Sequence, residues 1–186
     1  MSAEAPQPAG EDYLALDDRQ LLAQCKVSIH RASGPGGQHR NKVSTACRLY
    51  HRPTGLSAQA YESRSQHENR RNALRRLRMK IACQVRRPVD PCNPQLPQAV
   101  ASCLSSPTRS AGRAPRRLQV GRKDDRFWQV GQFLLDLLAA CEGRAGDAAK
   151  ALGITTSNLV AVLKQDRHLH AAAGAIRRQH GLGPLK

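Results

Sequence analysis

The positive charge of this 186-residue chain is concentrated in one stretch, which limits what that stretch can bury. The net charge is +16, and residues 26–87 alone carry +13 of it. Arg supplies 23 of the 30 basic residues, and its planar guanidinium binds phosphate and stacks on bases. We therefore expect a small domain with a polyanion-binding surface and no large buried core.

The first third of the chain carries the patterns of one short helix and three strands. Asp17 precedes an apolar stretch and predicts a helix capped by an aspartate, close to residue 18. Alternating apolar and polar residues then predict strands, the first of them half-buried, with residues 52–55 as the turn of a hairpin. The predicted strands are residues 25–30, 45–51 and 56–61.

A long basic helix is predicted after the third strand. Ser65 and Glu68 have the spacing of a capping box, which marks the start of a helix. Apolar residues then recur at steps of three and four, and arginines fill most of the other positions. This stripe consists of Leu74, Leu77, Ile81 and Val85. One face should pack on the sheet while the other presents guanidinium groups.

The following segment, residues 88–120, is predicted to be a flexible linker. Six prolines lie between residues 88 and 115, without a sustained hydrophobic period, and this composition is typical of largely disordered chain. The arginines of this stretch, continued by Arg122 and Lys123 just after it, could form a basic tract.

The remaining residues, 121–186, are predicted to form a small helical module. An apolar stripe starts at Phe127 and ends at Gly143. Further on, four residues have a spacing that fits a helix-turn-helix, namely Ala149, Gly153, Leu159 and Val162. Two interpretations stay open, a nucleic-acid-binding element and a hairpin that packs or docks on a protein partner.

Residues 31–42 carry the motif with the clearest chemical meaning. Their sequence, R-A-S-G-P-G-G-Q-H-R-N-K, resembles the catalytic loop of bacterial-type class I peptide chain release factors and of their shorter, codon-independent ribosome-rescue relatives. Residues 52–56 resemble the hairpin turn of that family, and residues 62–69 resemble its second signature, which opens the long helix. The two motifs and their spacing cover roughly residues 25–87.

The patterns and the resemblance together predict an α+β fold with four segments. A small, mostly antiparallel sheet should carry the long basic helix, and an all-α module should follow the Pro-rich linker. The predicted segments are an acidic tail with a short helix (1–24), a GGQ catalytic domain (25–87), the linker (88–120) and the helical module (121–186).

The resemblance implies hydrolysis of the ester bond of peptidyl-tRNA in the peptidyl-transferase centre of the ribosome. Gly36 and Gly37 lack a Cβ, so their backbone can lie close against RNA. Gln38 can orient a water and donate its backbone N–H to a developing oxyanion, although it has no useful pKa for removing a proton. Ribosomal RNA and the P-site tRNA would supply the rest, no cofactor is predicted, and methylation of Gln38 is compatible with the resemblance.

Further residues around the motif are expected to bind RNA, mainly through phosphates. They are Arg31, Ser33, Arg40, Asn41, Lys42, Arg64, Gln66, Arg70, Arg71 and Arg75. Arg64, Gln66 and Asn69 have a second interpretation, in which they brace the loop against the helix. His39 and His67 are interpreted as satisfied polar histidines, because no partner for a general base is evident.

Stop-codon recognition is not expected, since no P-x-T or S-P-F tripeptide occurs and fewer than thirty residues precede the first strand. The leading hypothesis is codon-independent release of nascent chains by a monomeric, cytoplasmic protein without a membrane partner. Two alternatives are a non-catalytic RNA-binding module and, with less support, a DNA-binding regulator. The six scattered cysteines form no zinc-type pair and are expected to be free thiols.

Overall fold

The computed structural model describes residues 12–30, 45–105 and 115–185. These residues divide into two compact units, one that ends at Ile81 and one that begins at Ala82. The strands are β1 (Cys25–His30), β2 (Ala46–His51) and β3 (Ser57–Ala60). The helices are α1 (Asp18–Ala23), α2 (Gln66–Gln84), α3 (Gln98–Ala101), α4 (Phe127–Ala140), α5 (Ala145–Ala151), α6 (Thr156–Lys164) and α7 (Arg167–Gln179). A small sheet with helices agrees with the expected α+β class.

The sheet of the first unit is antiparallel, in the order β1-β2-β3. Leu49 on β2 lies opposite Val27 on β1 and Ala58 on β3, so these three side chains share one face. Leu49 and Ala58 are buried, whereas Val27 is 38% and Ile29 is 48% exposed. The expectation of a half-buried first strand is therefore wrong beyond Cys25. β1 forms one edge of the sheet, and two basic side chains of α2 donate hydrogen bonds to β3 at the other edge.

α1 begins as the sequence predicts. The Asp17 carboxylate accepts from the Gln20 backbone N–H at 2.7 Å, and the Gln20 side chain accepts from the Asp17 N–H at 3.0 Å. α1 buries Leu21 and ends just before β1. The helix is thereby fixed at both ends, by its cap and by the strand that follows.

The turn between β2 and β3 is held by a buried histidine. The two ring nitrogens of His51 lie 2.7 Å from Thr54 Oγ1 and 2.9 Å from Gln24 Oε1, and the Tyr13 ring packs edge-on against the imidazole. Gly55 closes the turn in the left-handed region, at φ +68°. His51 therefore ties the hairpin turn to the end of α1.

α2 covers the sheet with the apolar stripe that the sequence predicts. Leu74, Leu77 and Ile81 are buried, and the 19 residues of the helix extend for about 28 Å. Val85, the last residue of the predicted stripe, lies just beyond the helix. Its carbonyl accepts a hydrogen bond from Gln132 at 3.1 Å, within the second unit.

The second unit is built around α4, which is buried along most of its length. It ends as the sequence predicts, because Gly143 takes φ +77° and its N–H donates to the Leu138 carbonyl at 2.8 Å. α5 and α6 form the predicted helical pair, with Gly153 at φ +66° in the turn between them. Ala149, Leu159 and Val162 are buried, as expected for small and apolar contacts between close helices.

The predicted linker differs from the structure in the parts that are described. Residues 88–105 contain α3, and Val100 is completely buried. Leu118 and Val120 are also buried in the core of the second unit. The isolated apolar residues of this Pro-rich stretch are thus spaced to pack on helices that follow much later in the chain, which a local hydrophobic period does not reveal.

An ionic cluster within the second unit anchors the chain that follows α2. The Asp136 carboxylate on α4 is completely buried, and it lies 3.1 Å from Arg86 Nη1 and 3.5 Å from Arg87 Nε. It also accepts from the Arg87 backbone N–H at 3.2 Å. Burial raises the pKa of Asp136, and the two guanidinium groups oppose that effect.

The six cysteines are free, which agrees with the sequence-based expectation. Burial raises the pKa of the Cys25 thiol to about 11 and that of the Cys83 thiol to about 11. These two side chains therefore remain as thiols at neutral pH and are poor nucleophiles. Within the ranges that the structure describes, no helix is long and apolar enough to cross a membrane.

We expect Asp136→Ala to lower the free energy of unfolding of the second unit by about 3–5 kcal/mol, because it leaves two largely buried guanidinium groups without their carboxylate. Urea unfolding followed through Trp128, the single tryptophan, would measure the change. Asp147→Ala is the control, since Asp147 is exposed and should matter by less than about 0.5 kcal/mol. Equal decreases in the free energy of unfolding of both variants would contradict the stabilising role of the Asp136 ion pairs.

Candidate RNA-facing site in the first unit

The ends of the segment that carries the G-G-Q tripeptide are fixed by the sheet. His30, the last residue of β1, pairs directly with Ala46, the first residue of β2. The segment between them therefore leaves and re-enters the sheet at the same end of two neighbouring strands. Residues 31–44 themselves lie outside the described part of the chain, and with them eight predicted site residues: Arg31, Ser33, Gly36, Gly37, Gln38, Arg40, Asn41 and Lys42.

A buried amide on α2 holds the point where this segment rejoins the sheet. The Asn69 side chain is completely buried, and its Nδ2 donates to the carbonyls of Thr45, at 2.7 Å, and Ser63, at 2.8 Å. Its Oδ1 accepts from the Ser63 N–H at 2.9 Å. Both amide protons and the oxygen are thus satisfied by backbone groups. Asn69 joins the start of β2 to the turn before α2.

The start of α2 is organised by a short chain of hydroxyl and carboxylate contacts. The Glu68 N–H donates to Ser65 Oγ at 3.4 Å, which is the first half of the predicted capping box. The Glu68 carboxylate accepts from the Ser63 hydroxyl. The Ser65 N–H, which Glu68 was expected to bind, donates instead to Ser63 Oγ at 3.0 Å. Ser63 therefore makes the contact with the Ser65 N–H that a capping box assigns to the glutamate.

Of the three residues with a bracing interpretation, only Asn69 is seen to brace. Arg64 and Gln66 have exposed side chains at the start of α2, so RNA contact remains the prediction for both. His67 is also exposed on the first turn of this helix. The signature R-S-Q-x-x-N thus divides into a buried positioning residue and exposed neighbours.

The basic residues of α2 fall into two groups. Arg70, Arg71 and Arg75 are exposed, as expected for phosphate contacts. Three others bind the unit itself, which the sequence pattern did not reveal. Arg76 donates to the Gln59 carbonyl and pairs with Glu62, and Lys80 Nζ donates to the Ser57 carbonyl at 2.6 Å.

Arg78 makes the most extensive of these internal contacts. Its guanidinium donates to the carbonyls of Leu14, at 3.1 Å, and Leu16, at 2.8 Å, and pairs with Asp18 at 2.9 Å. These contacts hold the chain before α1 against α2. Fewer cations of α2 are therefore available for binding another molecule than its composition indicates.

The open face of the sheet adds cations that were not among the predicted site residues. Arg48 on β2 is exposed and lies opposite Ser28 and Gln59, and Lys26 lies opposite Tyr50, which is 43% exposed. Alternation over β1 and β2 places all of these side chains on the face turned away from Leu49. The same alternation is visible in the sequence and could have identified them.

Among the described residues no group of three His, Cys, Asp or Glu side chains is placed to hold a metal ion. The exposed groups described on α2 and on the open face of the sheet are mainly cations, amides and hydroxyls. Such groups position and bind polyanions.

Residues 21–101 match the family model of the RF-1 domain. The matched stretch, a little under half of the chain, is therefore similar to the RF-1 domain, the GGQ-bearing domain of class I peptide chain release factors. The match begins in α1, includes the whole sheet and α2, and ends at the last residue of α3.

Similar proteins carry release factor names. Over 79 residues, 42% of this chain, it is 42% identical to peptide chain release factor 1 of Erythrobacter litoralis, of which it covers 21%. Over 150 residues, 81% of this chain, it is 31% identical to release factor 1 of Delftia acidovorans, covering 39%. It is 44% identical over 59 residues, 32% of this chain, to release factor 2 of Proteus mirabilis, covering 16%. The chain thus spans well under half the length of each of these relatives.

We expect Asn69→Ala to lower the free energy of unfolding of the first unit by on the order of 2 kcal/mol, because three backbone groups lose a buried partner. Hydrogen exchange of the β2 amides would measure the decrease. Asn72→Ala is a matched control on the same helix, since Asn72 is only half-buried. Faster exchange in the Asn72 variant than in the Asn69 variant would contradict the positioning role.

Proposed function

We propose that the RF-1 domain of this chain hydrolyses the ester bond of peptidyl-tRNA in the peptidyl-transferase centre of the ribosome. The carrying observation is the Gly36-Gly37-Gln38 tripeptide inside a matched RF-1 domain. Support comes from the described frame, in which paired strands and Asn69 fix the ends of the segment that contains the tripeptide. The partner of this site is large-subunit ribosomal RNA with the P-site tRNA.

In the proposed reaction a water oxygen attacks the ester carbonyl carbon. The bond between that carbon and the ribose oxygen of the tRNA then breaks, and the proton given up by the water ends on the ribose hydroxyl. Gln38 orients the water and donates its backbone N–H to the charge that develops on oxygen. Since Gln38 has no titratable group, it acts by positioning, and the gain comes from holding the reactants in a reactive geometry.

Exposed cations on α2 bind the RNA backbone in this proposal. Arg70, Arg71 and Arg75 are exposed, and none of them is needed for the contacts that Arg76 and Arg78 make inside the unit. A guanidinium that is free of internal carboxylates keeps its hydrogen bonds for phosphate. Arg64 and Gln66, exposed at the start of α2, extend this surface towards the segment 31–44.

We further propose that release does not depend on a stop codon. The sequence contains no P-x-T or S-P-F tripeptide. The described chain after the RF-1 domain belongs to a helical unit whose core includes residues of α4 to α7. A hydrolase with this organisation fits the release of nascent chains from ribosomes that have stalled.

We expect Gln38→Ala to slow peptide release by about 10²–10³-fold, because the side-chain amide that orients the water is lost while the backbone N–H remains. The measurement is single-turnover release from ribosome complexes with an empty A site, with and without a stop codon. His39→Ala is the control and should leave the rate unchanged. Loss of release in the His39 variant instead would favour a general base, and no release by the wild type would leave a non-catalytic ribosome-binding module.

We expect Arg75→Gln and Arg78→Gln, two substitutions on one helix, to affect different properties of the protein. The Arg75 variant should bind ribosomes more weakly, with a salt dependence lower by on the order of 0.7–0.9 per phosphate contact, and keep its stability. The Arg78 variant should instead be less stable, since it frees the Leu14 and Leu16 carbonyls. Binding titrations at several salt concentrations and thermal unfolding would separate the two. The same change in both variants would contradict the division of the basic residues of α2 into RNA-binding and fold-supporting groups.

A further inference from the structure

In the second unit, a basic extended segment lies along α6. The backbone N–H of Arg116 donates to the Gly153 carbonyl at 2.8 Å, at the turn before α6. Asn158 on α6 binds both backbone groups of Leu118, accepting from the N–H at 2.7 Å and donating to the carbonyl at 3.0 Å. Gln165 just after α6 donates to the Val120 carbonyl at 3.0 Å. The segment is thus attached to the helical pair at three points.

The other edge of this segment is bound as well. The N–H of Arg117 donates to Ser105 Oγ at 2.8 Å, and the Arg117 carbonyl accepts from the Ser105 N–H at 2.9 Å. The N–H of Gln119 donates to the Cys103 carbonyl at 2.8 Å. Leu118 points into the core, where it is completely buried, so its neighbours Arg117 and Gln119 point outwards. The position of these outward side chains is therefore fixed by backbone bonds.

This attachment changes what α6 can recognise. In a helix-turn-helix that reads base sequence, amide side chains of the second helix bind base edges. Here Asn158 and Gln165 are occupied by the backbone of the segment. The exposed positions of α6 are instead small, apart from Lys164. This face is suited to contact with a polyanion backbone and has no large amide or guanidinium on α6 to read bases.

Four cations in this segment and just after it are exposed: Arg116, Arg117, Arg122 and Lys123. We call this surface the 116–123 strip. Two carboxylates beside it, one in sequence and one paired with Arg122, are engaged. Asp124 is bound by Arg126, which lowers its pKa to about 2, and Asp166 is buried against Arg122 at 3.1 Å. Asp125 remains as an exposed carboxylate next to the strip.

The aromatic residues of this unit favour a duplex over a single strand. Single-stranded nucleic acid is held largely by stacking on exposed aromatic rings. Within the described part of the second unit, Phe127 and Phe133 are buried and Trp128 is only half-exposed, packed edge-on against Phe127. A face with fixed cations and buried rings fits the regularly spaced phosphates of a double helix.

We propose that the 116–123 strip binds the phosphate backbone of double-helical RNA without reading its sequence. The choice of RNA over DNA rests on the proposed function, since the RF-1 domain of the same chain is assigned to the ribosome. The binding itself does not, because it needs neither Gln38 nor a peptidyl-tRNA. The strip gives the chain a second RNA contact, separate in sequence from the cations of α2.

The test uses the full chain with Arg116→Gln, Arg117→Gln and Lys123→Gln combined. The hydrogen bonds of the two arginines that hold the segment are made by their backbone, so these substitutions leave the attachment in place. The control combines Arg144→Gln, Lys150→Gln and Arg178→Gln, which removes the same charge from exposed positions elsewhere in the unit. Trp128 fluorescence on urea unfolding verifies that both variants keep their stability.

Fluorescence anisotropy would follow binding of a labelled RNA duplex of about 20 base pairs between about 50 and 200 mM salt. We expect the slope of log affinity against log salt to fall by about 2–3 in the strip variant, roughly 0.9 for each phosphate that is no longer bound, and by less than about 1 in the control. Equal reductions in both variants would overturn the proposal. So would tighter binding of single-stranded RNA, or of a DNA duplex of the same sequence, by the wild type.

The Gln38→Ala variant separates this inference from the release activity. We expect it to bind the RNA duplex as the wild type does and to lose peptide release. If the wild type releases no peptide but its duplex binding still depends on the strip, the proposed function fails and the strip stands. If release is normal and duplex binding does not change when the strip is altered, the proposed function stands and the strip proposal fails.

Discussion

The buried amide of Asn69 is the contact on which the arrangement of the first unit depends. The segment that contains the G-G-Q tripeptide is held where it leaves the sheet and where it rejoins it. β1 and β2 hold both ends by pairing His30 with Ala46, and Asn69 attaches the next residue, Thr45, to the turn before α2. One residue of the R-S-Q-x-x-N signature, Asn69, thus fixes the end of a segment that lies more than twenty residues earlier in the chain.

A second constraint is that a strongly cationic unit must remain folded in spite of its own repulsion. The first unit meets this constraint by using part of its charge internally. Arg78 and Lys80 bind backbone carbonyls, and Arg76 binds one as well as a carboxylate. Carbonyl groups stabilise a cation without cancelling its charge, so the unit keeps a positive field while half of the helix's basic side chains support the fold.

Local patterns were sufficient for those elements whose ends depend on nearby residues. The aspartate cap of α1, the strands, the apolar stripe of α2 and the glycine that ends α4 were all predicted from the sequence. Contacts between residues far apart in the chain were missed. The burial of Leu118 depends on helices that follow it, and the exposure of Val27 depends on which edge of the sheet α2 binds.

The same limit applies to the candidate sites. The signature around Asn69 indicated a candidate site at the start of α2, but its pattern cannot tell a buried amide from an exposed one. Arg76 and Arg75 are adjacent and chemically identical, and only the fold brings one of them onto Glu62. The role of Asn158 could not be predicted from local patterns, because its partner lies forty residues earlier.

The attachment of the basic segment to α6 uses backbone atoms of Arg116, Leu118 and Val120 almost throughout. The outward side chains at 117 and 119 can therefore be exchanged without undoing it. Backbone atoms attach the segment to the helices, whereas the side chains of the same segment form its outer surface. Such a separation makes the segment a graftable frame, on which a designer, or natural variation, can alter what the surface prefers while leaving the helices beneath it unchanged.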